Sequence, residues 1–169
     1  RALPMSGKPK IQMSEEQMEE SRVAVVTGAG RGIGRAIAES LAGQGMKVFC
    51  VSKTESSCGA AAEAICESGA KAVALPVDVS SGDEIRKACE GILEEHECVD
   101  VLVNNAGITR DNLALRMKPE EWQSVIDTNL SSAYRMQRVV LRGMTRARWG
   151  RIVNIVSVVG SMGNAGQTN

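Results

Sequence analysis

Aromatic residues are scarce in this chain of 169 residues: one Phe, one Tyr and two Trp. A core must then be built from Val, Ile, Leu, Ala and Met, and a hydrophobic fraction of 43% suffices for one ordinary domain. Neither sign of charge is in excess, with 20 Lys plus Arg against 20 Asp plus Glu. Gross charge therefore points to neither a nucleic acid nor a membrane surface as partner. No apolar run approaches the roughly 18 residues of a membrane-spanning helix, and no stretch reads as a signal-peptide core. Histidine occurs once, as His96 in the polar "EEHE", so no metal centre is expected. The five cysteines (50, 58, 66, 89 and 98) are odd in number and include no C-x-x-C pair. Neither a disulfide framework nor a zinc ribbon is indicated, which leaves free thiols in a reducing compartment.

What is present is an alternation of short apolar runs with longer helical segments from residue 22 onward. "RVAVVT" (22–27) has little polar alternation, the mark of a strand buried on both faces. "GIGRAIAESLAGQG" follows as a helix with a glycine stop. "KVFCVS", "KAVALPVD" and "VDVLVNN" (99–105) read as further strands. Between them, "SSCGAAAEAICESG" and "GDEIRKACEGILEEH" read as helices. Pro119 opens a long helix to about Arg148, with an apolar line through Trp122, Ile126, Leu130, Ala133, Met136, Val140 and Met144. "GRIVNIVS" (150–157) is a fifth, buried-looking strand. Residues 1–21 are polar, with a helix capped by Ser14 and Gln17 as an option, and read as a targeting remnant or an appended leader. The fold class expected for 22–169 is α/β, a doubly wound parallel sheet of the Rossmann type. In such sheets ligands bind at the carboxyl ends of the strands.

"TGAGRGIG" lies between the first strand and the first helix, the setting that makes a glycine-rich motif meaningful. Gly28 allows the tight turn, Gly32 lets the backbone approach a pyrophosphate, and Gly34 lets the helix pack on the strand. The helix N-terminus supplies amides and a positive dipole end. The candidate dinucleotide loop comprises Gly28, Gly30, Arg31, Gly32, Ile33 and Gly34. At the end of the second strand an NAD site would place an acid on the ribose 2′-hydroxyl. Here stand Ser52 and Lys53, with no carboxylate before Glu55, and Arg31 sits in the glycine loop. Two cations suit a 2′-phosphate, so the expected cofactor is NADPH/NADP+. Asp78, with Val79 beside it in "PVDVS", is placed to accept from an adenine amino group, or equally to support the turn that Ser80 or Ser81 caps. "NNAG", with Asn105, Ala106 and Gly107, permits close approach to a ribose; Asn104 joins in or stabilises the sheet end, two compatible roles. Asn129, beside Ile126, Leu130 and Ala133 on the face expected to meet the sheet, is an amide that needs partners.

Together, "TGAGRGIG", "DVS", "NNAG", Asn129 and "VNIVS" resemble the short-chain dehydrogenase/reductase family throughout residues 22–169. "NNAGITRDNLALRM", "TNLSSAYRMQR" and "SVVGSMGNAGQTN" narrow the resemblance to reductases of 3-oxoacyl thioesters carried on acyl-carrier protein in type II fatty acid synthesis. The resemblance implies an NADPH-dependent, usually tetrameric enzyme, in a bacterial cytoplasm or a plastid-like organelle. It further implies an Asn–Ser–Tyr–Lys tetrad. Asn129 matches its Asn, with a role in a proton relay. Ser157 matches its Ser, which would bond the substrate carbonyl oxygen; taken alone, a Ser at a strand end is usually a turn former. The Tyr-x-x-x-Lys has no match: the single tyrosine, Tyr134, is followed at i+4 by Arg138. The expectation is that the chain continues past Asn169 with that pair and the last part of the sheet, and that as written it lacks normal reductase activity. The alternatives are a catalytically silent NADP-binding subunit or a reductase of another ketone.

Arg135, Arg138, Arg142 and Arg146 follow one another by three, four and four, and no acid occurs between 135 and 151. One helix face is therefore expected to be cationic, either solvated or in an oligomer interface. The alternative is docking of an acidic acyl-carrier protein, for which the resemblance singles out Arg148.

Overall fold

The computed structural model describes residues 22–169; the helix considered near Ser14 lies outside the described residues. Five parallel strands form one sheet in the order β3-β2-β1-β4-β5. They are β1 (Val23–Thr27), β2 (Lys47–Ser52), β3 (Ala72–Pro76), β4 (Val101–Asn104) and β5 (Arg151–Asn154). Helices α1 (Gly32–Gly43), α2 (Glu55–Glu67) and α3 (Gly82–Glu95) connect the first four strands. Between β4 and β5 run α4 (Pro119–Val125), a π-helical turn (Ile126–Ser131) and α5 (Ser132–Ala147), and a short α6 (Val159–Met162) follows β5. This is the doubly wound Rossmann-type sheet.

Successive side chains of a strand point to opposite faces, and β1 and β2 divide their residues accordingly. Ala24, Val26, Val48 and Cys50 meet Ala38 and Ala42 of α1 and Cys58, Ala61 and Ile65 of α2. Val23, Val25, Phe49 and Val51 meet Ile85, Cys89 and Ile92 of α3 and Met136, Val140 and Met144 of α5. The small residues of α1 and α2 make one face shallow, while Ile, Met and the only Phe fill the other. With β1 central and covered twice, its carboxyl end opens between the two helix layers, where the strand order reverses.

One expectation is corrected. The helix from Pro119 is not continuous. A π turn carries one residue more per hydrogen-bonded loop than an α turn, which rotates everything preceding it about the axis. The buried line is therefore Val125, Ser132, Met136, Val140 and Met144, while Trp122 and Leu130 are 43% and 64% exposed. Ser132 reinforces the turn by donating its hydroxyl to the Thr128 carbonyl at 2.5 Å. Among the described residues β5 pairs with β4 as the edge of the sheet, and Val153 on it is 44% exposed.

Candidate functional site

The loop from β1 into α1 forms the floor of a cleft of about 960 Å³ at the carboxyl ends of the strands. Gly32 has φ +57°, and a Cβ there would meet nothing, since the space before it is open cleft. Gly34 is held for the opposite reason: a Cβ would collide with the Gly28 carbonyl oxygen and the Asn105 amide. Backbone and helix thus approach as closely as a side chain of zero length permits. The N-terminus of α1 is left open. Its Arg31 N-cap makes no side-chain cap bond and its first turn holds no acid. By contrast, α3 is capped by Ser81 and has Asp83 and Glu84 in its first turn. Free N–H groups and an uncompensated dipole make the start of α1 a site for an anion.

The wall toward β4 is held by a residue whose role the sequence reading did not single out. Thr27 ends β1 fully buried; its Oγ1 accepts from the backbone N–H groups of Asn105 (2.9 Å) and Ala106 (3.0 Å). It also donates to the Val103 carbonyl at 3.3 Å. Asn105 replies with its side-chain amide, donating to the Thr27 carbonyl at 2.9 Å and the Gly28 carbonyl at 3.3 Å. This reciprocal clamp sets the start of "NNAG" against the glycine loop. A hydroxyl closing an otherwise apolar strand was the available signal. Asn104, buried, donates to Asn154 across the β4–β5 pair at 2.8 Å, the sheet-stabilising one of its two roles.

The opposite wall joins β2 to the loop after β3. Lys53 Nζ lies 2.6 Å from Asp78 Oδ2. The other carboxylate oxygen of Asp78 accepts from Ser80 N–H (3.0 Å) and Ser80 O–H (2.7 Å). Ser81 caps α3 by accepting from Glu84 N–H at 3.3 Å, and Glu84 reaches back to accept from Asp78 N–H at 2.8 Å. Of the two readings of Asp78, turn support is what the contacts display. The Lys53 ammonium, followed by the Ser80 donors, holds the Asp78 carboxyl down to about 2, and Asp78 holds the Lys53 ammonium above its ordinary range. Lys53 is 75% exposed, so the pair is screened and exchangeable. Ser52 and Lys53 from β2, Asp78 and Val79 from β3, Asn105, Ala106 and Gly107 from β4, and the candidate residues of the glycine loop all line this one cleft, Ile33 among them. Ser57, Arg110, Asp127 and Thr128 line it too, although none was singled out as a site residue.

Asn129 and Ser157 do not line it. Asn129 is exposed rather than turned to the sheet, because the π turn has shifted its phase. Both ends of its amide are nonetheless engaged: Oδ1 accepts from Ile108 N–H and Nδ2 donates to the Ile108 carbonyl, both at 2.9 Å. Its visible work is to hold the chain that follows "NNAG". Ser157 Oγ accepts from Val159 N–H at 3.2 Å, a turn-forming contact that leaves the hydroxyl proton available to an acceptor. Gln167 donates to Asp111 at 3.1 Å and Asn169 to the Arg110 carbonyl at 3.1 Å, so the last residues described lie on the same loop.

The arginine face is also revised. Arg135 is half-buried and bonded to Ser80 and Asp127, so it leaves the stripe. Arg138, Arg142, Arg146 and Arg148 are exposed. Arg148 is the left-handed C-cap of α5, at φ 54° the one non-glycine residue with positive φ among the described residues.

The short chain dehydrogenase family profile matches residues 22–169. The 3-oxoacyl-(acyl-carrier-protein) reductase FabG of Pseudomonas aeruginosa is 51% identical over 150 residues, covering 89% of this chain and 61% of the relative. The enzyme of the same name from Escherichia coli is 50% identical over the same length, covering 60% of the relative. The chain thus spans about three fifths of the length of the curated relatives it matches. A crystal structure of a metagenomic short-chain oxidoreductase in complex with NADP superposes with a TM-score of 0.84 at 38% identity, covering 88% of this chain and 68% of that one.

Proposed function

The chain belongs to the short chain dehydrogenase family, and we propose that it provides the NADPH site and part of the active site of a 3-oxoacyl-(acyl-carrier-protein) reductase. The observation that carries this reading is 51% identity to enzymes of that one activity across 150 residues, the stretch that also builds the cleft. The protein would reduce a 3-oxoacyl thioester to the 3-hydroxyacyl form.

The residues present fit a dinucleotide phosphate. The glycine floor, which a Cβ at Gly34 would disrupt, admits a pyrophosphate to the open N-terminus of α1. No carboxylate from the end of β2 lines the cleft, whereas Arg31 and Lys53 do. Arg31 would take the 2′-phosphate directly, and Lys53 would reach it by leaving Asp78. When bound, the cofactor supplies hydride for the carbonyl carbon. Ser157, whose oxygen already accepts from Val159, would turn its proton toward the carbonyl oxygen and stabilise the charge developing there. Asn129 would keep the loop at Ile108 in place; a relay role for its amide requires it to release Ile108. The acid and its lysine would come from a Tyr-x-x-x-Lys, which residues 1–169 do not contain.

Arg148, with Arg142 and Arg146 nearby on an exposed cationic stretch, is proposed to receive the acidic carrier. A homotetramer and a soluble, reducing compartment, bacterial cytoplasm or plastid-like, belong to the same proposal. No helix among the described residues is long and apolar enough to cross a membrane.

The test is consumption of NADPH by the full-length gene product with acetoacetyl carrier protein. Reduction to the 3-hydroxyacyl carrier is expected, with NADPH affinity falling roughly 10–100-fold in Arg31→Ala. Arg148→Glu should slow the carrier-linked substrate and spare a small free thioester. Turnover of free ketones with none of the carrier substrate would replace this reading.

A further inference from the structure

Arg135 is a half-buried cation whose two hydrogen bonds go to opposite walls of the cleft. Its Nη1 donates to the Ser80 carbonyl at 2.7 Å, and its Nη2 donates to Asp127 Oδ1 at 3.4 Å. Ser80 belongs to the loop after β3 and Asp127 to the π turn, and both line the cleft. The side chain runs close to Gly82, where an added Cβ would lie 3.5 Å from Arg135 Cδ. Each wall continues into further contacts. Ser80 is bound by Asp78, which is bound by Lys53. Two residues beyond Asp127, Asn129 grips both backbone groups of Ile108. Polar contacts, joined by the chain from Asp127 to Asn129, therefore cross from the end of β2 to the chain after β4, and Arg135 is the link between their two halves.

We propose that Arg135 is a positioning residue that couples the loop after β3 to the π turn and, through Asn129, to Ile108. This rests on the dinucleotide reading above, together with the placing of the adenine against Asp78 that the sequence offers as one of its two readings; Asp78 and Ser80 both line the cleft. The physical basis is the geometry of the guanidinium, which offers a fixed fork to two acceptors at once. Moving Ser80 relative to α5 breaks or strains the Asp127 contact. A nucleotide that takes Lys53 from Asp78 and holds Asp78 and Ser80 itself therefore also narrows the positions open to the π turn. Coupling of this kind is reciprocal: whatever orders Ile108 also favours the nucleotide.

The test is amide hydrogen exchange of the full-length protein with and without 2′,5′-ADP, which carries the adenine and the 2′-phosphate but no nicotinamide. In the wild type, ligand-induced slowing is expected at 78–82 and also at 107–110 and 127–131. In Arg135→Met the slowing at 78–82 should remain, while that at the two remote stretches falls by about fivefold or more. Asp127→Asn, which keeps the shape and removes the charge, should give an intermediate loss and serves if Arg135→Met does not fold. A merely structural Arg135 would raise exchange in the free variant and leave the ligand-induced change intact. That outcome, or a wild type with no remote slowing, overturns the inference. If 2′,5′-ADP slows no amide even at 78–82, the nucleotide reading itself fails, and the inference with it.

Discussion

β1 and β5 are both short parallel strands, and among the described residues they are covered to different degrees. Val23 to Val26 are at most 2% exposed, whereas Val153 is 44% exposed and Val156, just past β5, is 85% exposed. The difference lies in their neighbours. β1 has a strand on each side and helices on both faces; β5 has β4 on one side only among the described residues. The polar groups at their carboxyl ends follow suit. Thr27 receives two backbone N–H groups and donates to a third partner, while Ser157 has one contact, at 3.2 Å. Burial is what forces a polar group to be fully partnered, so the Thr27 wall of the cleft is firmly built, while Ser157, outside the cleft, has one side-chain contact.

The contrast can be broken at several strengths. Leu102→Ala in β4, at a site of no exposure, should lower the stability of this chain by about 2–5 kcal/mol. Val156→Ala should stay within about 0.5 kcal/mol. Urea unfolding of the two variants checks this, and equal losses would show that the residues after β5 are packed as tightly as β4.

Thr27→Val keeps the shape and strands the Asn105 and Ala106 N–H groups. A cost of about 1–3 kcal/mol and weaker NADPH binding are expected, with Thr27→Ser close to wild type. Ser157→Ala should leave NADPH affinity unchanged. Paired denaturation and NADPH titrations decide; a Thr27→Val protein that binds NADPH normally would mean that the clamp does not shape the cleft.

The smallest effect sits at the rim. The Asp78 carboxyl titrates at about 2 in the folded protein against an ordinary 3.8. A depressed acid stabilises the fold fully above its unfolded value and loses that contribution as pH falls through the folded one. Wild-type stability should therefore drop more steeply than that of Asp78→Asn between pH 3.8 and about 2. The difference should shrink in salt, since Lys53 is mostly exposed. Parallel acid-unfolding curves would show that the pair contributes nothing.

Much of this was legible in the chain. The strand, glycine loop and helix of residues 22–43 are encoded by near neighbours: an apolar run, glycines at short spacing, then apolar residues every three or four. β2 matches its expected span, Lys47–Ser52, residue for residue. The π turn was not legible, because one extra residue in an otherwise regular apolar line leaves no compositional mark, yet it turned Trp122 and Leu130 outward and moved Asn129 off the sheet-facing side. Nor was the sharing of cations. Lys53 finds Asp78 across 25 residues and Arg135 finds Ser80 across 55, so two of the basic residues that looked free in the sequence are engaged in the fold.

By itself, the order of residues determined which segments are strands and helices and which loops meet at the carboxyl edge of the sheet, since periodicity and glycine spacing act over a few residues. Tertiary structure alone decided that Thr27 would bind the start of "NNAG" and that Asn129 would hold Ile108. Those outcomes depend on which groups, 21 and 78 residues apart, are brought within 3 Å of each other.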